Sequence, residues 1–411
     1  IQVTGTRTYN ATGVTIEYNG SSAQNTGNQF PASLKNFTVS NAAGVTLDAS
    51  ATISGTANVT GLLQLGTNNM TQTGGAATLS GTGTIKLDGV FNTQVGTYNT
   101  NTFQTNGTYQ FNGTNQDVPS GSYKNITVNG GDAQLTGNVS LSGVLAVNGT
   151  LTLGANKLTF TGSSPTRTAE GIDASNTNAE IEFNSAGTIT LPASLFTGDI
   201  GKLTMTGSGL VTSSDNINVT NALTLTNGFL NMGANTLTLG TSTSNEGTYS
   251  RTSGTIRGTF KRWIASGAST KEFPLDNGSG ALSMATVTFT SLGTGGTLTA
   301  KFNNSGSGTL SDNGGLGYLA TGPSMSNVNL INLAPQYWTI TAGDGLATPN
   351  YSIDITGDGV PNISEINYIA IVKRADNTQP WAWNSGNHST TTGSTSNPIL
   401  HGVSFTSFSE F

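Results

Sequence analysis

Three phrases recur in the same order along the first half of the chain, and a repeat of this kind restricts the fold more than any single residue does. Tyr18-Asn19-Gly20 returns as Phe111-Asn112-Gly113 and, with serine in place of glycine, as Phe183-Asn184-Ser185. A lysine phrase follows in each copy: Leu34-Lys35-Asn36-Phe37-Thr38-Val39, Tyr123-Lys124-Asn125-Ile126-Thr127-Val128 and the looser Gly201-Lys202-Leu203-Thr204-Met205. A third closes each copy: Leu65-Gly66-Thr67-Asn68-Asn69-Met70, Leu153-Gly154-Ala155-Asn156-Lys157-Leu158 and Met232-Gly233-Ala234-Asn235-Thr236-Leu237. A repeated unit is a repeated piece of architecture that buries its apolar face by stacking on its neighbours. The copies differ by insertions between the shared phrases, which suits loops on one side of a stacked scaffold. At about 20 to 30 residues to a solenoid turn, each copy holds about three or four turns. The competing expectation makes each copy a small sandwich domain.

Composition favours the array. Charged residues are 9% of the chain, against about 25% in ordinary globular proteins, and threonine, asparagine, serine and 55 glycines fill the space. Disorder also requires few β-branched residues and weak periodicity, whereas Val139 to Leu153 alternates apolar with small or polar residues and breaks at Asn148-Gly149. That is two period-2 strands and a tight turn. No stretch has helical spacing, so the expected class is all-β. Cysteine is absent, which removes disulfides and thiolate metal sites. No apolar run is long enough for a transmembrane segment. A net charge of −6 without a basic stripe argues against nucleic acid as a partner. The chain opens on strand-like Ile1-Gln2-Val3-Thr4 with no signal-peptide pattern; a signal peptide, if one existed, has been removed.

The organisation changes after about residue 245. Residues 1–245 are expected to form a β-solenoid-like repeat array, with copies at about 15–75, 108–162 and 180–240. Residues 246–330 form a β-rich connecting region and 331–411 a C-terminal antiparallel β-sandwich. Five basic residues, Arg251, Arg257, Lys261, Arg262 and Lys271, gather around Trp263. They read either as a surface for anions or glycans or as the solvated face of two antiparallel strands. Trp338, Trp381 and Trp383 all fall in the last quarter.

One motif carries metal chemistry. From Asp354 to Glu365, oxygen donors occupy the positions of a calcium loop: Asp354, Thr356, Asp358, the Val360 carbonyl, Asn362 and a carboxylate at Glu365, with Gly359 at the sharp turn. The flanks are strand-like rather than helical, and Pro361 is unusual in such a loop, so a plain Asp-Gly turn is the competing reading. Calcium is the one cofactor this sequence suggests. Catalytic residues are not expected. Glu180 and Glu182 are the only close carboxylate pair in the repeats, but Glu182 aligns with Glu17 and Glu180 with Thr15, which marks scaffold positions. His388 and His401 lie in Ser/Thr/Gly-rich sequence without recognisable nucleophile spacing and are expected to be solvated.

The repeat phrases, clearest in residues 148–162 (NGTLTLGANKLTFTG), resemble the β-strand-repeat regions of large cell-surface adhesins and secreted proteins of Bacteroidota. The closing part is similar to the sandwich that follows such repeats: a Trp-Thr-Ile strand at Trp338–Ile340, an Arg-ended strand at Ile369–Arg374, a tryptophan at Trp381 or Trp383, and a final Ser-Phe-Ser-x-Phe at Ser407–Phe411. The resemblance implies export through the type IX secretion pathway and an extracellular or cell-surface location. The expected function is therefore non-catalytic: a stalk or filament component, structural or adhesive, that presents a binding domain. Its partners would be other copies of itself, other cell-surface proteins or glycans. A carbohydrate-active β-helix lyase or hydrolase is the alternative, and an ice-binding protein a weaker one.

Overall fold

The structure is a computed structural model and describes residues 13–73, 77–88, 108–112, 114–276, 278, 280–306, 334–357, 363, 365–366, 369–379, 381–382 and 387–411. The Ile1–Thr4 segment and Trp383 lie outside the described residues. The chain is all-β, with no α-helix among the described residues, and about 12 solenoid turns are counted over its two compact units. The units are Ile1–Gly201 and Lys202–Phe411.

From Thr15 to Phe183, the strand pairings among the described residues are parallel. Thr15–Tyr18, Asn36–Val39, Thr56–Val59 and Thr78–Ser80 stack in one sheet. A second carries the ladder from Gln24–Asn25 through Leu62–Gln64, Thr84–Leu87, Thr108–Phe111, Asn125–Leu135 and Leu145–Thr152 to Thr166–Asp173. The first two repeat copies are thus one uninterrupted stack rather than separate sandwiches. Period-2 alternation puts Ile85, Tyr109, Ile126 and Leu145 in one buried column, while polar neighbours face out. Leu65 and Leu153, equivalent in the third phrase, are both fully buried in this core.

The repeated phrases have specific jobs. In the lysine phrase, the Asn36 amide oxygen accepts the Thr56 N–H at 2.9 Å and that of Asn125 accepts the Val144 N–H at 2.7 Å, each one turn further along. In the third phrase Gly66 and Gly154 hold φ of 60° and 57°, a left-handed bend that glycine adopts without strain. Two residues later Asn68 and Asn156 donate to the carbonyls of Leu47 (2.6 Å) and Leu135 (2.7 Å) in the preceding turn. Asn112, Asn129 and Asn148 form an amide ladder with steps of 3.1 and 3.0 Å, which extends to Asp88 at 3.3 Å. Turn length varies: bonded partners in successive turns lie 17 residues apart at Asp117–Gln134 and 23 apart at Thr159–Glu182.

The second unit begins as the same kind of stack. Phe229–Leu239 pairs in parallel with Leu210–Ser213, Ile217–Leu225 and Thr255–Ile264, and Met232 is fully buried. The parallel stack therefore runs past residue 245. Thr255–Ile264 is the changeover strand, because its other edge pairs antiparallel with Gly296–Asn303. Apart from one parallel contact of Ile256 with Leu275, the later strand pairings among the described residues are antiparallel.

Two substitutions test the stacked core of the first unit. Leu153→Ala is expected to lower stability by about 2–5 kcal/mol, through lost burial and the cavity left behind. A Cβ on Gly83 would lie 2.0 Å from the Gly61 carbonyl oxygen, so Gly83→Ala must push two adjacent turns apart, at about 1–3 kcal/mol. Urea unfolding with amide exchange at Leu62–Gln64 and Thr84–Leu87 measures both. Protection unchanged by Gly83→Ala would refute the close stacking.

Candidate functional site

Chemistry-bearing side chains of the second unit gather in its antiparallel part. Ser269–Asp276, Leu282–Thr294, Ala347–Thr356, Pro398–Phe405 and His388–Gly393 pair in that order. A second set runs Thr255–Ile264, Gly296–Asn303, Tyr337–Gly343 and then the last residues of the chain. There Trp338 and Phe411 exchange N–H···O bonds of 2.9 Å, and Ile340 donates to Ser409. Arg374 and Glu410 pair on the other side at 3.1 and 3.0 Å. The three motifs are thus neighbours, but Ile369–Arg374, expected as a strand, forms none and joins only through isolated bridges at Lys373 and Arg374. Their side chains pack together: Arg374 Nε meets Glu410 Oε2 at 2.5 Å, with both side chains buried, and the guanidinium lies 4.4 Å from the centre of the Trp381 ring.

The calcium motif is only partly within the described residues; Asp358, Val360 and Asn362 lie outside them. Asp354 and Thr356 sit on the strand Ala347–Thr356, on the face opposite the buried Ile353 and Ile355. The ladder continues through Gly357, whose N–H donates to Pro398 at 2.9 Å. Glu365 is exposed. Asp354 already has a partner: its Oδ1 is 2.8 Å from Nδ1 of His401, the residue directly across the ladder. Nε2 of His401 is in turn 2.8 Å from Thr392 Oγ1 on the next strand.

The histidines therefore depart from the expectation that both are merely solvated. Cross-strand register, invisible in local sequence, joins His401 to a carboxylate 47 residues away. Burial, with His401 nearby, holds the His388 imidazole below its ordinary pKa. No spacing rule would have found this cluster; only the pairing of Ala347–Thr356 with Pro398–Phe405 creates it.

The basic residues around Trp263 form neither an open anion surface nor a simply solvated face. Arg257 pairs with Asp276 at 3.3 Å, Lys261 with Asp344 at 2.8 Å and Lys271 with Glu246 at 2.7 Å. Arg262 points into the core, its guanidinium 4.7 Å from the Tyr249 ring centre and donating to the Glu272 carbonyl at 3.0 Å. Desolvation lowers the pKa of Arg262. Burial pushes the Glu246 carboxyl up, but the Lys271 hydrogen bond, the Ala265 N–H and the nearby Lys271 and Arg262 charges outweigh it, leaving the pKa below the usual carboxylate range.

In the first unit, Glu182 is a structural partner. Its Oε2 meets Lys157 Nζ at 2.8 Å and accepts from Thr159 Oγ1 at 3.2 Å, one turn back in the stack. The Glu182 hydrogen bond is the main cause of the raised Lys157 pKa. Glu17 at the aligned position likewise accepts from Ser40 in the adjoining turn, at 3.0 Å.

No protein-family model, curated protein or solved structure matches the chain. Among the described residues no helix is long and apolar enough to cross a membrane.

Two outcomes follow from these contacts. Glu410→Gln leaves a buried guanidinium without its counter-charge and should cost about 3 kcal/mol, seen as faster amide exchange at Trp338 and Ile340. For His388 the native pKa lies below the unfolded one, so the unfolded state binds more protons. The stabilisation is complete above about pH 6.5 and is lost as pH falls through the lower native value. Melting temperature should fall on acidification below about pH 6.5, and His388→Gln should flatten that slope.

Proposed function

We propose that this chain is an extracellular structural or adhesive protein of the cell surface, a stalk or filament component whose C-terminal part presents the binding surface. The observation that carries this reading is the reciprocal use of side chains along the stack. Asn36, Asn125, Asn156 and Glu182 each spend their polar atoms on an adjoining turn. Such an array lengthens by repetition and commits its polar groups to rigidity rather than to a ligand. In this reading the antiparallel part is a β-sandwich. Contacts between its two strand sets support that: Trp338 Nε1 donates to the Ser283 carbonyl at 3.2 Å, and Phe408 stacks on Tyr351 at 4.7 Å. The resemblance to Bacteroidota surface repeats supports type IX export. Self-association, other surface proteins and glycans remain the proposed partners.

Particle imaging of the purified chain over a range of concentrations, together with a glycan-array binding assay, tests the proposal. Filaments or saturable surface binding are the expected results; compact, non-binding particles at every concentration would sink it. Release of reducing or unsaturated ends from polysaccharides, abolished by Glu182→Gln, would instead establish the carbohydrate-active reading. The structural role expects that substitution to lower stability slightly, with no activity to lose.

Calcium belongs to the same proposal, as a clip on the loop that starts at Asp354. A bound ion would compete with His401 for that carboxylate. Binding to the folded state alone would add about 2.7 kcal/mol at a hundredfold excess over Kd. The melting temperature of the full chain should rise with calcium, and Asp358→Ala should remove the rise. Equal melting in calcium and chelator would leave a plain turn.

A further inference from the structure

We infer that Thr392 is an activated nucleophilic hydroxyl, able to take an acyl group from a carboxylic ester. Asp354, His401 and Thr392 stand on three adjacent strands, with carboxylate to imidazole and imidazole to hydroxyl both at 2.8 Å. A carboxylate oxygen accepts hydrogen bonds, so in the neutral imidazole the proton resides on Nδ1. Nε2 then presents its lone pair, and the Thr392 hydroxyl donates to it. This is the order of groups that lets a hydroxyl lose its proton as it attacks.

Register fixes the arrangement. Asp354 and His401 are direct cross-strand partners, and Thr390, not Thr392, is the direct partner of His401. The imidazole reaches diagonally to Thr392, two residues further along the same face. The neighbouring hydroxyl of Thr391 is spent on the Ile369 carbonyl at 3.1 Å. Of these threonines, it is Thr392 whose hydroxyl bonds the imidazole, at 2.8 Å. The site is open to solutes: Thr392 is exposed, and the side chains of His401 and Asp354 are 29% and 47% exposed.

In the proposed step Thr392 Oγ1 bonds to the ester carbonyl carbon while its proton passes to His401 Nε2. The bond from that carbon to the leaving oxygen then breaks, and the proton moves from Nε2 to the departing alkoxide or aryl oxide. The products are an acyl-threonine ester and an alcohol or phenol, with the imidazole returned to its starting form. Thr392 and His401 are the reacting groups; Asp354 is a positioning residue that holds the tautomer.

The full chain, incubated with p-nitrophenyl acetate in the presence of chelator, provides the test, read by release of p-nitrophenol and by peptide mass mapping. Acetylation should concentrate on Thr392 over Thr390 and Thr391. His401→Ala should slow it by about a hundredfold or more, Thr392→Val should abolish it and Thr392→Ser should retain it. Asp354→Asn can donate to Nδ1 and move the proton to Nε2, so it should slow labelling of Thr392 selectively. A purely structural role would change the labelling of Thr390, Thr391 and Thr392 together, along with the melting temperature. Melting curves confirm that each variant folds. Equal labelling of the three threonines, or labelling of Thr392 indifferent to His401→Ala, would overturn the inference.

Discussion

The parallel, in-register backbone ladder is the constraint on which the rest depends. Neighbouring strands sit about 4.8 Å apart, so each residue lies directly over its counterpart one turn away. Such stacking rewards side chains that tolerate, or bond to, a near copy of themselves. Leucine, isoleucine, valine and phenylalanine do so inside by burial; asparagine and threonine do so outside by hydrogen bonding, as in the Asn112–Asn129–Asn148 ladder. Like charges at that spacing repel by about 1 kcal/mol even in water, and by more where partly buried. A charged fraction of 9% is what such a ladder permits. Where a charge does enter, at Glu182, the stack supplies Lys157 beside it.

The changeover at Thr255–Ile264 relaxes that rule. An antiparallel neighbour comes from a different stretch of sequence, so opposite charges can face each other across strands. Charged residues thicken here, and their partners come from distant segments just outside the strands: Lys261 finds Asp344, just past Tyr337–Gly343, and Lys271 finds Glu246, before Thr248–Arg251. The aromatics follow the same logic. Tyr249, Phe260 and Phe273 surround the Arg262 guanidinium, which lets a cation sit in a core with no carboxylate in ion-pair contact among the described residues.

This difference between the two halves decides what the sequence made legible. In the solenoid the information is local and periodic. Alternation identified the buried columns, but the tight turn expected at Asn148-Gly149 lies inside the continuous strand Leu145–Thr152, while the bends fall at Gly66 and Gly154, which local spacing had not singled out. In the antiparallel part the information lies in register between distant segments. Asp354 looks like the first ligand of a calcium loop, and His401 looks like loop sequence, because nothing within ten residues of either points to the other. The basic group around Trp263 misled for the same reason: Asp276, Asp344 and Glu246 become its counter-charges only once the strands pair.

The C-terminal motifs show how a low-complexity sequence can still encode a definite arrangement. Trp338–Ile340, Lys373–Arg374 and Ser409–Phe411 are separated by long stretches of chain, yet Ser409–Phe411 lies between the other two and bridges to both at Glu410. Two contacts fix Ser407–Phe411 in that place. The hold is double: Arg374 clamps Glu410 from one side, while Lys373 donates to the Ser407 carbonyl at 2.7 Å with its ammonium 5.8 Å from the Phe411 ring centre. Burial lowers the Lys373 pKa, a cost offset by those contacts. Since Phe411 also packs edge-on against Phe405 at 5.2 Å, and Tyr351 bonds the Ser407 carbonyl at 2.8 Å, the tail binds both strand sets at once. Order in the sheet that carries Asp354 and His401 is thereby tied to the seating of the last five residues of the chain.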